Sequence, residues 1–132
     1  MWIKGALKMK ISNQVADSYL SALILISKKV SGKFGYAVAR NIRELSNSLK
    51  EYIQMKNELI AKYGEVNGNE ISLNTNSENY KDFIKELKEF AEIEHEVNIM
   101  EIELEHVYNS SLTADLITSI MFMIKEEGVD NG

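Results

Sequence analysis

The sequence predicts a mainly helical α+β fold, with about four helices, one of them long, and a small antiparallel strand pair around the third helix. Apolar residues recur at intervals of three and four positions through most of the chain, which is the spacing of an amphipathic helix. Two shorter stretches, after Asn67-Gly68 and over residues 94–107, alternate polar and apolar residues as strands do. The 132 residues contain no linker, internal repeat or low-complexity tract, so we expect one domain.

The first helix is expected from Ser12 to about Ser27. A short extended lead, Met9-Lys10-Ile11, precedes it, and the Ser12 hydroxyl can accept a hydrogen bond from a free amide of the first turn. The apolar residues wrap most of the helix towards its end, which is typical of a buried helix. Residues 28–32 interrupt the pattern, and a second helix can begin there.

The second helix is expected over residues 33–63, with Gly64 as its C-terminal cap. Its length would be about 45 Å, whereas a compact globule of this size is about 36 Å across. We therefore expect an elongated molecule or a homo-oligomer that covers part of the helix, since the near-heptad apolar spacing favours self-association. Coverage of the whole stripe by neighbouring helices of the same chain is the alternative. The candidate interface residues are Val38, Ile42, Leu45, Leu49 and Tyr52.

The third helix is expected to begin at a capping box that runs from Thr75 to Glu78. Before it, the turn signal Asn67-Gly68 is followed by residues 70–73, which alternate like a short strand. A last helix is expected from Thr113 as N-cap to Gly128.

Residues 94–107 allow two interpretations. Alternation of polar and apolar residues, with a phase slip between Ile99 and Met100, predicts strand, which would pair with the strand over residues 70–73. The alternative is a helix that continues the third one. We favour strand, because a helix would leave Ile99 and Ile102 exposed.

The composition excludes several classes of protein. Without cysteine the chain has no disulfide, no thiolate metal site and no thiol nucleophile. No uninterrupted apolar run is longer than that of residues 22–26, which is far below the roughly 20 residues that span a bilayer. The start of the chain lacks the apolar core of a signal peptide. We therefore expect no membrane association.

Charge is divided unevenly along the chain. Residues 1–62 hold eleven Lys/Arg and four Asp/Glu, a balance of +7, and residues 63–132 hold four Lys and sixteen Asp/Glu, a balance of −12, which together give the net −5. Such a division can be neutralised inside the molecule or can attract a charged partner. We favour the internal interpretation.

Basic residues gather where the second helix begins. Free backbone amides and the positive end of the helix dipole already favour an anion there, and an aromatic side chain could stack on a base. This predicts a weak anion-binding site, for a nucleotide or nucleic acid. Neutralisation of the acidic half by these cations is the interpretation we favour. The candidate residues are Lys28, Lys29, Lys33, Tyr36, Arg40 and Arg43.

Other chemistry has little support in the sequence. His95 and His106 lie among glutamates, and imidazole with carboxylate is a known set of zinc or manganese ligands. No His-x-x-x-His pair is present, and the glutamates follow the alternation of an amphipathic strand, so we expect a solvated acidic face with no metal and no cofactor. No serine lies in a nucleophile-elbow sequence, and we expect no enzymatic activity.

Four phrases, in this order and at these spacings, resemble a small protein family of unknown function from phages and prophages of Gram-positive bacteria. They are residues 33–41 (KFGYAVARN), 59–65 (LIAKYGE), 96–99 (EVNI) and 112–116 (LTADL). The resemblance covers nearly all of residues 9–126, and relatives usually begin at the position of Met9. It implies an N-terminal extension over residues 1–8, a single domain over residues 9–127 and a tail over residues 128–132.

The resemblance implies a phage origin and expression in the cytoplasm of a bacterial host, and it carries no active site over. We expect a non-enzymatic accessory protein that binds a protein partner, either a host defence or nucleic-acid-processing component or a phage assembly partner. The alternatives are a nucleotide- or anion-sequestering protein that uses the basic cluster, and a structural component of the virion.

Overall fold

A computed structural model describes residues 6–125 of the chain. Six α-helices occur within this range: α1 (Asn13–Ile26), α2 (Gly32–Ser48), α3 (Lys50–Tyr63), α4 (Glu78–Ala91), α5 (Leu104–Tyr108) and α6 (Ala114–Ser119). Six strands form three two-stranded sheets: β1 (Ala6–Ser12), β2 (Glu65–Asn67), β3 (Glu70–Ser72), β4 (Glu94–Met100), β5 (Ile102–Glu103) and β6 (Ile124–Lys125). The predicted mainly helical α+β class is confirmed.

The core lies where α1 and α2 pack on the longest sheet. Antiparallel β1 and β4 form this sheet, and α2 packs against both α1 and β4. Burial of these apolar side chains is the main favourable term in folding. Side chains with less than 2% exposure come from all three layers: Leu23, Ile26, Leu45, Leu49, Val97 and Ile99.

The first helix begins as predicted. The Ser12 hydroxyl accepts a hydrogen bond from the Val15 amide at 3.2 Å, and α1 runs from Asn13 to Ile26. The strand before it is longer than the predicted lead. Because β1 starts at Ala6, residues 6–8, which were assigned to an extension, pair with β4 inside the domain.

The pairing of the strands differs from the prediction. Residues 94–100 are a strand, as favoured, but their partner is β1, with Met9 opposite Val97. The strand over residues 70–72 pairs instead with β2 in a separate hairpin closed at Gly68, whose φ of 66° suits glycine. Residues 104–108 form the short helix α5, so the prediction of strand for the end of residues 94–107 was wrong.

The long second helix is two helices divided at Leu49. Leu49 departs from helical geometry, with φ −93° and ψ 2°, although its amide still donates to the Leu45 carbonyl at 2.9 Å. The division accompanies a change of partner, since α2 packs on α1 and β4 while α3 packs on α4. Each half of the predicted helix is therefore covered by different elements of the same chain, as the alternative interpretation expected.

The residues predicted to form an oligomer interface do not lie on the surface of the chain, so this prediction was wrong. Four of its five residues are buried within the chain, and Ile42 is half-buried against the same core. A side chain that already packs inside one copy presents no area to a second copy. The residues concerned are Val38, Ile42, Leu45, Leu49 and Tyr52.

Two helix boundaries also differ. Helix α4 is capped by Ser77, whose hydroxyl accepts from the Tyr80 amide at 3.2 Å, so the predicted capping box at Thr75 was wrong. The last helix ends at Ser119, and a 3₁₀ turn leads into β6, which pairs in parallel with β5. The predicted end at Gly128 and the predicted tail over residues 128–132 lie outside the described residues.

Within residues 6–125, the structure contains no helix that has both the length and the apolar character needed to cross a bilayer.

Candidate functional site

The beginning of α2 borders a polar groove of about 430 Å³. Ser31 occupies the N-cap position, but its hydroxyl makes no capping hydrogen bond. The first amide to enter the helical ladder is that of Gly35, which donates to the Ser31 carbonyl at 3.0 Å. The amides of residues 32–34 precede it and have no partner inside the helix. These donors and the helix dipole favour a negative charge in the groove.

The groove has a second wall, which comes from α5 and the loop after it. Lys29, in the turn before α2, and Lys33, in its first turn, lie on one side, and His106, Asn109 and Ser110 lie on the other. The Ser110 hydroxyl donates to the carbonyl of Val107, which fixes the turn that follows α5. Two of the predicted anion-binding residues therefore lie on a groove whose other wall the sequence did not indicate.

The other predicted residues, Lys28, Tyr36, Arg40 and Arg43, do not line the groove. Lys33, Tyr36, Arg40 and Arg43 follow one another on α2 at spacings of three, four and three residues, which places them along one side of the helix. All four are exposed, and 57% of the Tyr36 surface is accessible. We call these four residues the basic stripe. Lys28 is exposed in the turn before α2.

Direct neutralisation of these cations by the acidic half is not seen within residues 6–125. The structure has four ion pairs there, and one of them, Lys62 with Glu86 at 3.1 Å, joins the two halves of the sequence. None of the four involves a cation of the basic stripe or of the groove. Neutralisation by the field of more distant carboxylates stays a prediction, tested by charge reversal below.

The two histidines lie in different places. His106 lines the groove, whereas His95 on β4 is held between two helices. Within the described part of the chain, no group of three or more histidine, aspartate or glutamate side chains is arranged to hold a metal ion. The candidate pairing of His95 with His106 therefore has no geometric basis.

A polar cluster that the sequence did not indicate surrounds His95. Its Nδ1 lies 2.7 Å from the Ser48 hydroxyl and its Nε2 lies 2.6 Å from the Asn13 side-chain oxygen. Because the Asn13 amide nitrogen donates to the Phe90 carbonyl at 2.9 Å, its oxygen is the group that faces the ring. In the neutral ring, Nε2 then carries the proton and Nδ1 accepts from Ser48.

This order of hydroxyl, imidazole and amide is that of a nucleophile with its base and an orienting group. Asn13 carries no charge to stabilise an imidazolium ion, in contrast to the aspartate of a serine hydrolase. The three residues belong to the start of α1, the end of α2 and β4. We assign to the cluster the role of tying these elements together.

A second groove, of about 470 Å³, lies between α1 and α6. Ala22, Leu25 and Leu116 contribute apolar surface to its lining, and Asp17 and Asp115 contribute carboxylates. A hydrogen bond from the Thr113 hydroxyl lowers the pKa of the Asp115 carboxyl below its ordinary value. Thr113 thus contacts the first turn of α6 through the side chain of Asp115, although its hydroxyl caps no amide.

Comparison of the chain with protein-family models, with curated proteins and with solved structures finds no match.

Proposed function

We propose that this protein acts by binding an acidic surface of a protein partner and catalyses no reaction. The observation that carries the proposal is the basic stripe, in which three cations and an exposed tyrosine line one side of α2 without an ion pair to any residue between 6 and 125. Arginine and tyrosine are enriched at protein interfaces because both combine a large contact area with hydrogen bonding.

The charge of the stripe supports a role in recognition. Exposed charges that lie unpaired attract an oppositely charged surface over a distance of about 8 Å at physiological ionic strength. Complementary charge of this kind raises the association rate and selects among partners. The helix that carries the stripe is fixed to the core by its other side, so its backbone has little order to gain on binding.

The family resemblance supports the biological setting of the proposal. A phage origin would place the protein in the cytoplasm of a bacterial host, as an accessory protein that occupies a host defence or nucleic-acid-processing component, or a phage assembly partner. A structural role in the virion is the alternative within the same class, because it also depends on protein contacts.

The test compares two charge-reversed variants of equal net charge. Arg40→Glu/Arg43→Glu changes the stripe, and Lys81→Glu/Lys85→Glu changes exposed cations of α4 as the matched control. Each tagged protein is expressed in the bacterial host during infection, and captured proteins are quantified by mass spectrometry. We expect a partner that wild type and the control retain and that the stripe variant loses. Equal capture by all three proteins, or by none, would contradict the proposal.

A second candidate function is sequestration of a phosphate-bearing ligand in the groove at the start of α2. The specific observation in its favour is that Lys29, Lys33 and His106 surround backbone amides that have no partner inside the helix. Such a site resembles the arrangement in which helix N-termini bind phosphate.

Calorimetry with cyclic dinucleotides, cyclic trinucleotides, ADP-ribose derivatives and short oligonucleotides tests this candidate. Lys29→Glu changes the groove alone, and Arg43→Glu changes the stripe alone. A ligand of the groove should bind Arg43→Glu as it binds wild type, should bind Lys29→Glu at least tenfold more weakly, and should raise the melting temperature of wild type. If no anion binds, and charge reversal lowers stability instead, the cations serve to neutralise the acidic half.

A further inference from the structure

The two edges of the β1–β4 sheet differ, because α2 closes the β4 edge at Asn98 and Met100 and nothing comparable covers the β1 edge within residues 6–125. On the outer side of β4, side chains of α2 occupy the positions of a neighbouring strand. The Asn41 amide accepts from the Met100 backbone N–H at 2.8 Å and donates to the Met100 carbonyl at 3.0 Å. The Glu44 carboxylate accepts from the Asn98 N–H at 3.0 Å. The outward N–H groups of Asn98 and Met100 and the Met100 carbonyl are thus bonded within the chain.

The outer side of β1 presents the same kind of groups without partners in the described chain. The Asn13 amide donates to the Ile93 carbonyl at 2.9 Å, which continues the ladder and sets its phase. Backbone groups of odd-numbered β1 residues therefore face β4, and those of Lys8 and Lys10 face outward. No hydrogen bond from a residue between 6 and 125 reaches these outward groups. Both lysine side chains are exposed.

We propose that the open edge of β1 binds an extended segment of a partner protein that carries acidic side chains at alternate positions. An added strand would form hydrogen bonds with the amides and carbonyls of Lys8 and Lys10, which is the mode of recognition known as strand addition. Side chains of paired strands lie opposite one another on the same face. Acidic residues two positions apart in the segment would therefore lie beside the two lysines.

The charge of the edge argues for a different protein and against a second copy. Antiparallel pairing of two β1 strands would bring lysines of one copy beside lysines of the other, and like charges in that position destabilise a sheet. Lysine on an edge strand is a common means of preventing such self-pairing. An acidic segment would instead attract the same lysines. On β4, Glu96 already lies opposite Lys10 and Asn98 opposite Lys8, so the lysines would then have hydrogen-bond acceptors on both sides.

This inference goes beyond the proposed function, because it concerns a surface on β1 that shares no residue with the basic stripe. An experiment can therefore contradict the proposal for the β1 edge and leave the proposal for the basic stripe unaffected, or the reverse. Lys8→Glu/Lys10→Glu changes the edge and leaves the stripe intact, and Arg40→Glu/Arg43→Glu does the reverse.

The test follows individual amides by nuclear magnetic resonance in the full chain. The probe is a synthetic peptide of 7 residues, the length of β1, that alternates valine with glutamate. In the free protein we expect the amides of Lys8 and Lys10 to exchange rapidly with solvent and those of Met9 and Ile11 to be protected. Addition of the peptide should protect Lys8 and Lys10 and leave Met9 unchanged. Lys8→Glu/Lys10→Glu should bind at least tenfold more weakly, with a melting temperature that falls slightly, because the substitution at Lys10 places a carboxylate opposite Glu96.

Two control peptides separate the contributions of charge and backbone. A peptide with lysine in place of glutamate should not bind, and one N-methylated at the residues that face β1 should lose binding although its charge is unchanged. The proposal is overturned by any of three results: slow exchange of the Lys8 and Lys10 amides in the free protein, no binding of the acidic peptide at millimolar concentration, or equal binding of the N-methylated peptide.

Discussion

Replacement of Asn41 tests how much the hydrogen bonds from α2 to the closed edge of β4 contribute to the free energy of unfolding. Asn41 lies on α2, is 1% exposed, and bonds both the N–H and the carbonyl of Met100 through one side-chain amide. Asn41→Ala removes both bonds at once. Asn41→Asp keeps an acceptor for the Met100 N–H but loses the donor and introduces a buried carboxyl group.

The magnitude follows from the groups left without partners. A buried backbone donor or acceptor that loses its hydrogen bond costs about 1 to 3 kcal/mol. Met100 itself is half-buried, so water partly compensates, and we use the lower end for each of its two groups. Allowing for the cavity left by the truncation, Asn41→Ala should lower the free energy of unfolding by about 2 to 4 kcal/mol. That is a large part of the 5–15 kcal/mol of a typical domain, for which about 10 kcal/mol is central. Asn41→Asp should be worse at neutral pH than at acid pH, since a buried carboxylate facing a carbonyl favours protonation.

Urea denaturation of wild type and variants measures these differences. The matched control is Asn47→Ala, which removes the same side chain from an exposed position of the same helix and should change stability by less than about 0.5 kcal/mol. A loss below about 1 kcal/mol for Asn41→Ala, or equal losses for the two variants, would refute the role assigned to this amide.

Three further variants test separate parts of the fold. Gly64→Ala should cost about 1 to 3 kcal/mol in urea denaturation, because a Cβ at Gly64 would lie 2.5 Å from the Ile60 carbonyl oxygen and against the Ile71 side chain; a neutral result would contradict this close packing. Hydrogen bonds from Tyr63 and Lys62 hold the pKa of the Glu86 carboxyl below its ordinary value of 4.5, so their stabilisation is present above pH 4.5 and is lost as pH falls through the folded-state pKa. Glu86→Gln should therefore flatten the acid limb of a stability–pH profile, and a profile identical to that of wild type would refute the assignment. Leu49→Asp should abolish folding, seen by circular dichroism, because its side chain is 0% exposed; a folded variant of reduced mass in light scattering would instead support the interface first expected there.

Helices with local signals could be predicted closely from the sequence. The start of α1 depends on a serine that bonds to an amide three residues away. The prediction that α1 is buried nearly all round was wrong, because Ile24 and Leu25 are 55% and 65% exposed. The division at Leu49 could not be predicted, because the apolar spacing continues unchanged from α2 into α3. At Leu49 the element that covers the helix changes. The periodicity of apolar residues indicates which side of a helix is buried, but it does not identify the element that covers that side.

The partner of each strand could not be predicted from the sequence pattern. The alternation that marks β1 is present in the sequence, with Leu7, Met9 and Ile11 between lysines, but alternation predicts a strand and leaves its partner open. Asn41 shows the same limit for side chains. A polar residue within an otherwise ordinary helix carries no sign in the sequence that it will bond a distant strand, fifty-nine positions away.

The candidate site was predictable to the extent that it is helical. The basic stripe could be anticipated because its four residues share helical spacing, and the lysines of the groove because they are close in sequence to the start of α2. The opposite wall comes from the short helix α5, which carries His106 in a region where strand was expected, and from the loop after it, which carries Ser110. A groove between distant segments requires the tertiary structure, which no local pattern supplies.

The two edges of the sheet are physically linked, and the link gives the edge proposal a further constraint. Met100, which Asn41 holds, pairs with Ala6 at one end of the ladder, whereas Lys8 and Lys10 pair with Asn98 and Glu96 further along it. Loss of the α2 contacts should therefore open the ladder first at Ala6, and the amide of Met9 should stay protected longer than its neighbours towards that end, because local opening begins where the fewest bonds remain. An added strand would form hydrogen bonds with the residues on both sides of Met9. In Asn41→Ala it could do so only after β1 had become ordered again. The acidic peptide should then bind Asn41→Ala more weakly than wild type and should stabilise that variant, since a ligand that binds only the ordered strand shifts the equilibrium towards it.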